Sequence, residues 1–234
     1  MTLHFLRLAL ATAAVCLAGC YLPSAGPTQH ESRTIERDKS EMLRVDLRMG
    51  AGELKVRGGA RKLMEADFTY NVPSLRPEVR YSSVGFRGNL AVEQQGRSTS
   101  VSNVVYRWDL RLADDIPMDL TVNFGAGEAR LELGSAALRS LNVNMGVGQL
   151  DLDLRGTPRR DYSVQIHGGV GEATIRLPKD AGIVADATGG IGGISARGLR
   201  QEGGRYVSEG YQHAKVTIHL TVRGGVGAIN LIAD

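Results

Sequence analysis

A chain of 234 residues with 42% hydrophobic residues and 30 glycines is long enough for a sizeable core, and its net charge of +3 is too small to point to nucleic acid as a partner. Both cysteines, Cys16 and Cys20, fall in the first 20 residues. The remainder can therefore hold neither a disulfide framework nor a cysteine metal site.

From the N-terminus, Arg7 precedes an apolar run from Leu8 to Leu17 that closes on Leu17-Ala18-Gly19-Cys20. About ten apolar residues fall short of the roughly twenty that cross a bilayer, so residues 1–19 read as a secretory signal peptide. The ending resembles the bacterial lipobox, in which cleavage precedes the cysteine and its thiol takes a diacylglycerol. Cys20 is then the lipidation site, and the membrane, reached through that N-terminal lipid, is the first expected partner. Tyr21 follows where an Asp would argue for inner-membrane retention, which favours the outer membrane of a double-membrane envelope. Residues 20–38, with Pro23, Gly26, Pro27 and mixed charges, read as a flexible tether to a domain at 39–234.

Within that domain a Gly-apolar-Gly unit recurs six times: Gly50/Gly52, Gly125/Gly127, Gly146/Gly148, Gly169/Gly171, Gly190/Gly192 and Gly225/Gly227. The first glycines are separated by 75, 21, 23, 21 and 35 residues, a period near 21 interrupted twice. Before each first glycine the apolar residues sit at odd offsets, as in Leu120, Val122 and Phe124. After it they sit at even offsets, as in Ala129, Leu131 and Leu133. Residues two apart share a strand face, so the inward face changes parity at every pair, and the chain must bulge or bend there. Each pair is read as a corner between two strands, with glycine reaching the required backbone angles cheaply. The fold class expected is all-β, a parallel β-helix-like stack of about 21-residue coils.

Residues 57–119 interrupt the repeat with strand-like runs at Ala66–Tyr70, Val79–Tyr81, Leu90–Glu93 and Val104–Leu112. The last places Val104, Tyr106, Trp108, Leu110 and Leu112 on one face. This segment reads as an inserted antiparallel hairpin or small sheet capping one end of the stack. A second insertion, roughly Leu199 to Ala214, reads as a hairpin or loop.

The stretch Met49-Gly50-Ala51-Gly52-Glu53-Leu54, with Gly59-Ala60, Lys62-Leu63, Phe68-Thr69-Tyr70, Pro77-Glu78-Val79 and Leu90-Ala91-Val92, resembles the N-terminal part of the bacterial toast-rack domain. Trp108, Leu110, Ile116-Pro117-Met118-Asp119-Leu120 and the glycine coils are similar to that family's repeat body, so the resemblance runs over about residues 40–234. It implies a β-helical stack in a cell-envelope protein of adhesin-like or stress-sensing type. It supplies no active-site pattern.

No nucleophile elbow, phosphate loop, paired zinc histidines or calcium loop occurs in the sequence. The residue after the second glycine is Glu53, Glu128, Gln149 and Glu172 in the first four coils, a column about 4.8 Å in step that either holds a cation or is neutralised by Lys55 and Arg130. The latter is the expectation, with no metal and no cofactor. The function read from the sequence is a non-catalytic envelope lipoprotein presenting a rigid surface to a protein, glycan or lipid, with an envelope stress response as one setting for it. The alternative is a carbohydrate-active β-helix enzyme using Asp151, Asp153 and Arg130.

Overall fold

The computed structural model describes residues 25–96 and 103–234. The strands are, in chain order, β1 (Gln29–Ile35), β2 (Met42–Arg57), β3 (Met64–Tyr70), β4 (Pro77–Val84), β5 (Arg87–Gln94), β6 (Tyr106–Leu112), β7 (Met118–Glu132), β8 (Leu138–Asp153), β9 (Tyr162–Leu177), β10 (Gly182–Thr188), β11 (Ile194–Arg197), β12 (Arg200–Glu202), β13 (Arg205–Val207) and β14 (Thr217–Ala233). Five of them, β2, β7, β8, β9 and β14, are 15 to 17 residues long, each carries one glycine pair at its middle, and they lie side by side in parallel.

Such a strand cannot be straight. Extended, fifteen residues span roughly 50 Å, yet residues 133–137, with a reach of about 20 Å, return the end of β7 to the start of the parallel β8. Each long strand therefore folds back at its glycines. One strand and its short return make one coil, and the fold is the parallel β-helix-like stack read from the period. Burial agrees in detail: Met49 and Leu54 are buried while Gly50, Ala51 and Glu53 are exposed, so the inward face switches parity across the pair. Both halves feed one core, in which Leu120, Val122 and Phe124 of the first half of β7 join Leu131 and Leu133 from beyond its glycines.

The glycines stack with the coils. Each second glycine from Gly52 to Gly227 has φ between 123° and 140°, where a Cβ is strained. A methyl group on Gly148 would also run into the carbonyl oxygen of Gly127, and one on Gly171 into that of Gly148.

The insertion does more than cap. β3 pairs antiparallel with β6, and β4 with β5, as a small sheet would. However, β5 runs parallel to the first half of β2 and β6 to its second half, so together they form a further coil beside it. Near the corner of β2 the Gln94 side chain reaches across, its Oε1 accepting from the Gly50 N–H at 2.8 Å. Tyr106, Trp108, Leu110 and Leu112 of the expected apolar face are buried, whereas Val104 is 40% exposed.

Two features depart from the sequence reading. Residues 29–35, placed there in a flexible tether, form β1, paired with β3 along its whole length. Glu31 fixes it, its carboxylate accepting from Arg76 at 2.9 Å, because an otherwise bare edge of β3 offers a full row of backbone partners.

The stack also leaves chain order at its far end. The C-terminal β14 lies between β9 and the broken coil β10/β11, and the β12–β13 hairpin covers β10. β14 carries a full apolar set, including Ile218, Leu220, Val222 and Leu231, and so gains more from two covered edges than the short, interrupted β10/β11.

The Gly190/Gly192 pair, read as a corner between two strands, lies between the end of β10 at Thr188 and the start of β11 at Ile194, whereas each of the other five pairs lies within one unbroken strand. Gly192 keeps the backbone angle of the other second glycines, with φ +137°, so the chain still bends there. The ladder itself is reduced to an isolated bridge between Ile191 and Val226. Two causes act together. Gly189, Gly190, Gly192 and Gly193 surround Ile191 and supply no side chains to stiffen the segment. Among the described residues, β14 is also the one strand bonded to this coil at its corner, since β13 pairs only with Val184 and Ala185.

Candidate binding surface

Parallel pairing in strict register turns each outward sequence position into a column running across the coils. Beyond the glycines, Lys55, Arg130 and Asp151 form one column, and Arg57, Glu132 and Asp153 the next. These charges neutralise one another. Lys55 meets Glu132 at 3.3 Å, Arg57 meets Asp109 at 2.8 Å, Arg155 meets Asp153 at 2.7 Å, and Arg176 pairs with Asp151. The Arg155 hydrogen bond holds the Asp153 carboxyl below the usual aspartate range, the wrong direction for a proton donor near neutral pH.

The column Glu53–Glu128–Gln149–Glu172 exists in register and continues into Ala228. Its carboxylates are individually satisfied: Glu53 by Arg107 at 2.9 Å, Glu128 by Arg130 at 3.3 Å, and Glu172 by the Asn230 amide at 2.8 Å. Of the two neighbours expected from the sequence, Arg130 pairs with Glu128, whereas Lys55 turns to Glu132 instead of Glu53.

The other half of each coil is chemically different. Its outward columns read Asp46–Thr121–Asn142–Gln165–Thr221 and Arg48–Asn123–Asn144–His167–Arg223. In the central coils these are amides, hydroxyls and an imidazole. Asn144 donates to the Asn123 side-chain oxygen at 3.0 Å, and Asn123 donates to Asp46 at 3.3 Å. Beside this ladder lies a shallow groove of ≈ 700 Å³ whose floor is the backbone of Gly50, Gly125, Gly146 and Gly169. The broken corner at Gly190 and Gly192 contributes nothing to it. Among the described residues no carboxylate lines the groove, and Arg48, the one Arg or Lys of these that does, is held by Asp46 and by Glu93 at 3.1 Å. The sequence reading passed over this ladder, although a fixed offset marks it: Arg48, Asn123, Asn144 and His167 each precede the first glycine of a pair by two residues.

Of the other residues singled out in sequence, Leu17, Ala18, Gly19 and Cys20 lie outside the described residues. Among the described residues, no helix is long and apolar enough to cross a membrane, and no cluster of three metal-ligating side chains forms.

The folded-back strands stacked on a glycine spine define a coil-stack β protein whose outer faces, rather than an enclosed cleft, are available to partners. Residues 24–176 match the model of the N-terminal domain of toast-rack, a domain of unknown function. The chain belongs to this toast-rack family. A candidate cell adhesion protein of Clostridium sporogenes is similar to it at 34% identity and a TM-score of 0.86, over 89% of this chain and all of the other. A candidate adhesin of Bacteroides fragilis is more distant, with 12% identity and a TM-score of 0.34, over 88% of this chain and 97% of the other. A comparison with curated protein sequences gives no match.

Proposed function

We propose that the chain is a non-catalytic binding module of the bacterial cell envelope, held to the outer membrane through lipid on Cys20, and that the amide ladder with its glycine floor receives an uncharged, hydroxyl-rich partner such as a wall glycan. The observation that carries this reading is the asymmetry of the outer faces, one neutralised by its own ion pairs and the other presenting neutral amides along an open groove. An amide offers donors and an acceptor together and so complements a hydroxyl, which is both. The similarity to a candidate cell adhesion protein supports a binding role over an enzymatic one. A part in sensing envelope stress would follow if glycan occupancy were read out at the membrane.

The test is co-sedimentation of the full chain with purified cell-wall polysaccharide. Retention without release of reducing ends, weakened by Asn144→Leu, is expected. Steady release of sugar fragments would instead revive the lyase or hydrolase reading. Separately, Cys20→Ser should move the protein from the washed membrane fraction to the soluble one, and a variant that stays with the membranes would remove the lipid anchor.

A further inference from the structure

The middle residues of the glycine units form a column of their own. In spatial order it reads Ala51, Ala126, Val147, Val170, Val226 and Ile191. These side chains point away from the core at the outer edge of the corners. Val147 is 53% exposed, Val170 48%, Val226 45% and Ile191 75%. Folding does not explain this composition, since the glycines on either side make the turn and a polar residue would serve equally well between them. Six apolar side chains at a step of about 4.8 Å form a ridge roughly 24 Å long.

The way the N-terminal segment reaches the stack indicates what covers the ridge. The Gly26 N–H donates to the carbonyl of Asn71 at 2.9 Å, and the Asn71 N–H to Val105 at 3.2 Å. Val105 is next to Tyr106, whose carbonyl lies against Gly52, at the corner that carries Ala51. The chain therefore enters the fold on the glycine edge, in line with the ridge. From Cys20 to Ala25 five residue steps span at most about 18 Å. An acyl chain on Cys20 would thus hold this edge within that distance of the lipid.

We propose that the ridge of middle residues rests on the bilayer surface, so that the anchored domain lies along the membrane on this ridge, with the glycine-floored groove beside it left open. This rests on the lipid-anchor reading above. A second copy is a poorer occupant, because six small side chains present a few hundred Å², far below the roughly 800 Å² per partner of a stable interface. A tethered domain needs less, since the anchor already supplies a high effective concentration of lipid.

The test uses the full chain in phosphatidylcholine vesicles containing a small fraction of lipid with a diazirine in its acyl chain. Flotation reports the anchor, and mapped photo-crosslinks report the ridge. Crosslinks on peptides carrying Val147, Val170 and Val226 are expected, falling by about tenfold in a V147T/V170T/V226T variant that keeps shape but loses apolar surface. Flotation with crosslinks confined to residues before 25, or unchanged in the variant, would overturn the ridge proposal and leave the anchor standing. Failure to float would remove the anchor and the ridge proposal with it.

Discussion

The two halves of every coil share a core, a glycine corner and a strand register, yet their outer faces have diverged. The half beyond the glycines carries a lattice of arginines, Lys55 and carboxylates that satisfy one another. The half before them carries asparagine, glutamine, threonine and histidine columns in its central coils, with few side-chain partners beyond the Asn144–Asn123 step. Inward positions are therefore set by packing and are alike in both halves, while outward positions are free to serve binding. The contrast locates the candidate site more firmly than any single residue does.

Breaking the corner that joins the two faces should have the largest effect. Gly148→Val places a side chain at φ +133° against the Gly127 carbonyl, and should cost about 2 to 5 kcal/mol in chemical unfolding. An unchanged midpoint would mean that the corner is not strained. Leu141→Ala and Leu152→Ala, on the two sides of the Gly146/Gly148 corner, should each cost about 2 to 4 kcal/mol, since both side chains are fully buried in one core. A large difference between them would show that the halves are not equally packed.

The remaining predictions separate the faces. Asn144→Leu should weaken glycan retention about five- to tenfold with stability changed by less than about 0.5 kcal/mol. Asp151→Asn should leave retention intact and cost below about 1 kcal/mol, a loss that shrinks as salt is raised. Acid should act on the ion-paired face. Asp153 has a folded pKa below its unfolded value, so its contribution is complete above the ordinary aspartate range and is lost as pH falls through the lowered value. The thermal midpoint should therefore drop on acidification below about pH 4, and Asp153→Asn should flatten that drop.

Much of this fold is legible in the sequence because a parity change is a strong signal: Leu120-Val122-Phe124 and Leu131-Leu133 can face one interior only if the chain turns at Gly125–Gly127. Strand partners across longer distances leave no such trace. Nothing local in Gln29–Ile35 shows that it completes the edge of β3, and nothing in Thr217–Ala233 shows that it enters between β9 and β10, because both outcomes depend on which edges the rest of the fold leaves open. The same dependence explains Gly192, whose motif matches the other corners while its place at the end of the stack leaves the strand interrupted. The candidate site was hidden differently. Asn123, Asn144 and His167 are ordinary apart and form a ladder only once register brings them together, whereas the acidic column after each second glycine stands out by its charge and is the face already neutralised.

The most direct measurement is a residue-resolved amide chemical-shift footprint of the full chain titrated with a soluble fragment of cell-wall glycan. Perturbations concentrated at residues 121–124, 142–145 and 165–168 are predicted. A footprint at 130–132, 151–153 and 174–176, or none at saturating glycan, would contradict the assignment of the amide face as the binding surface.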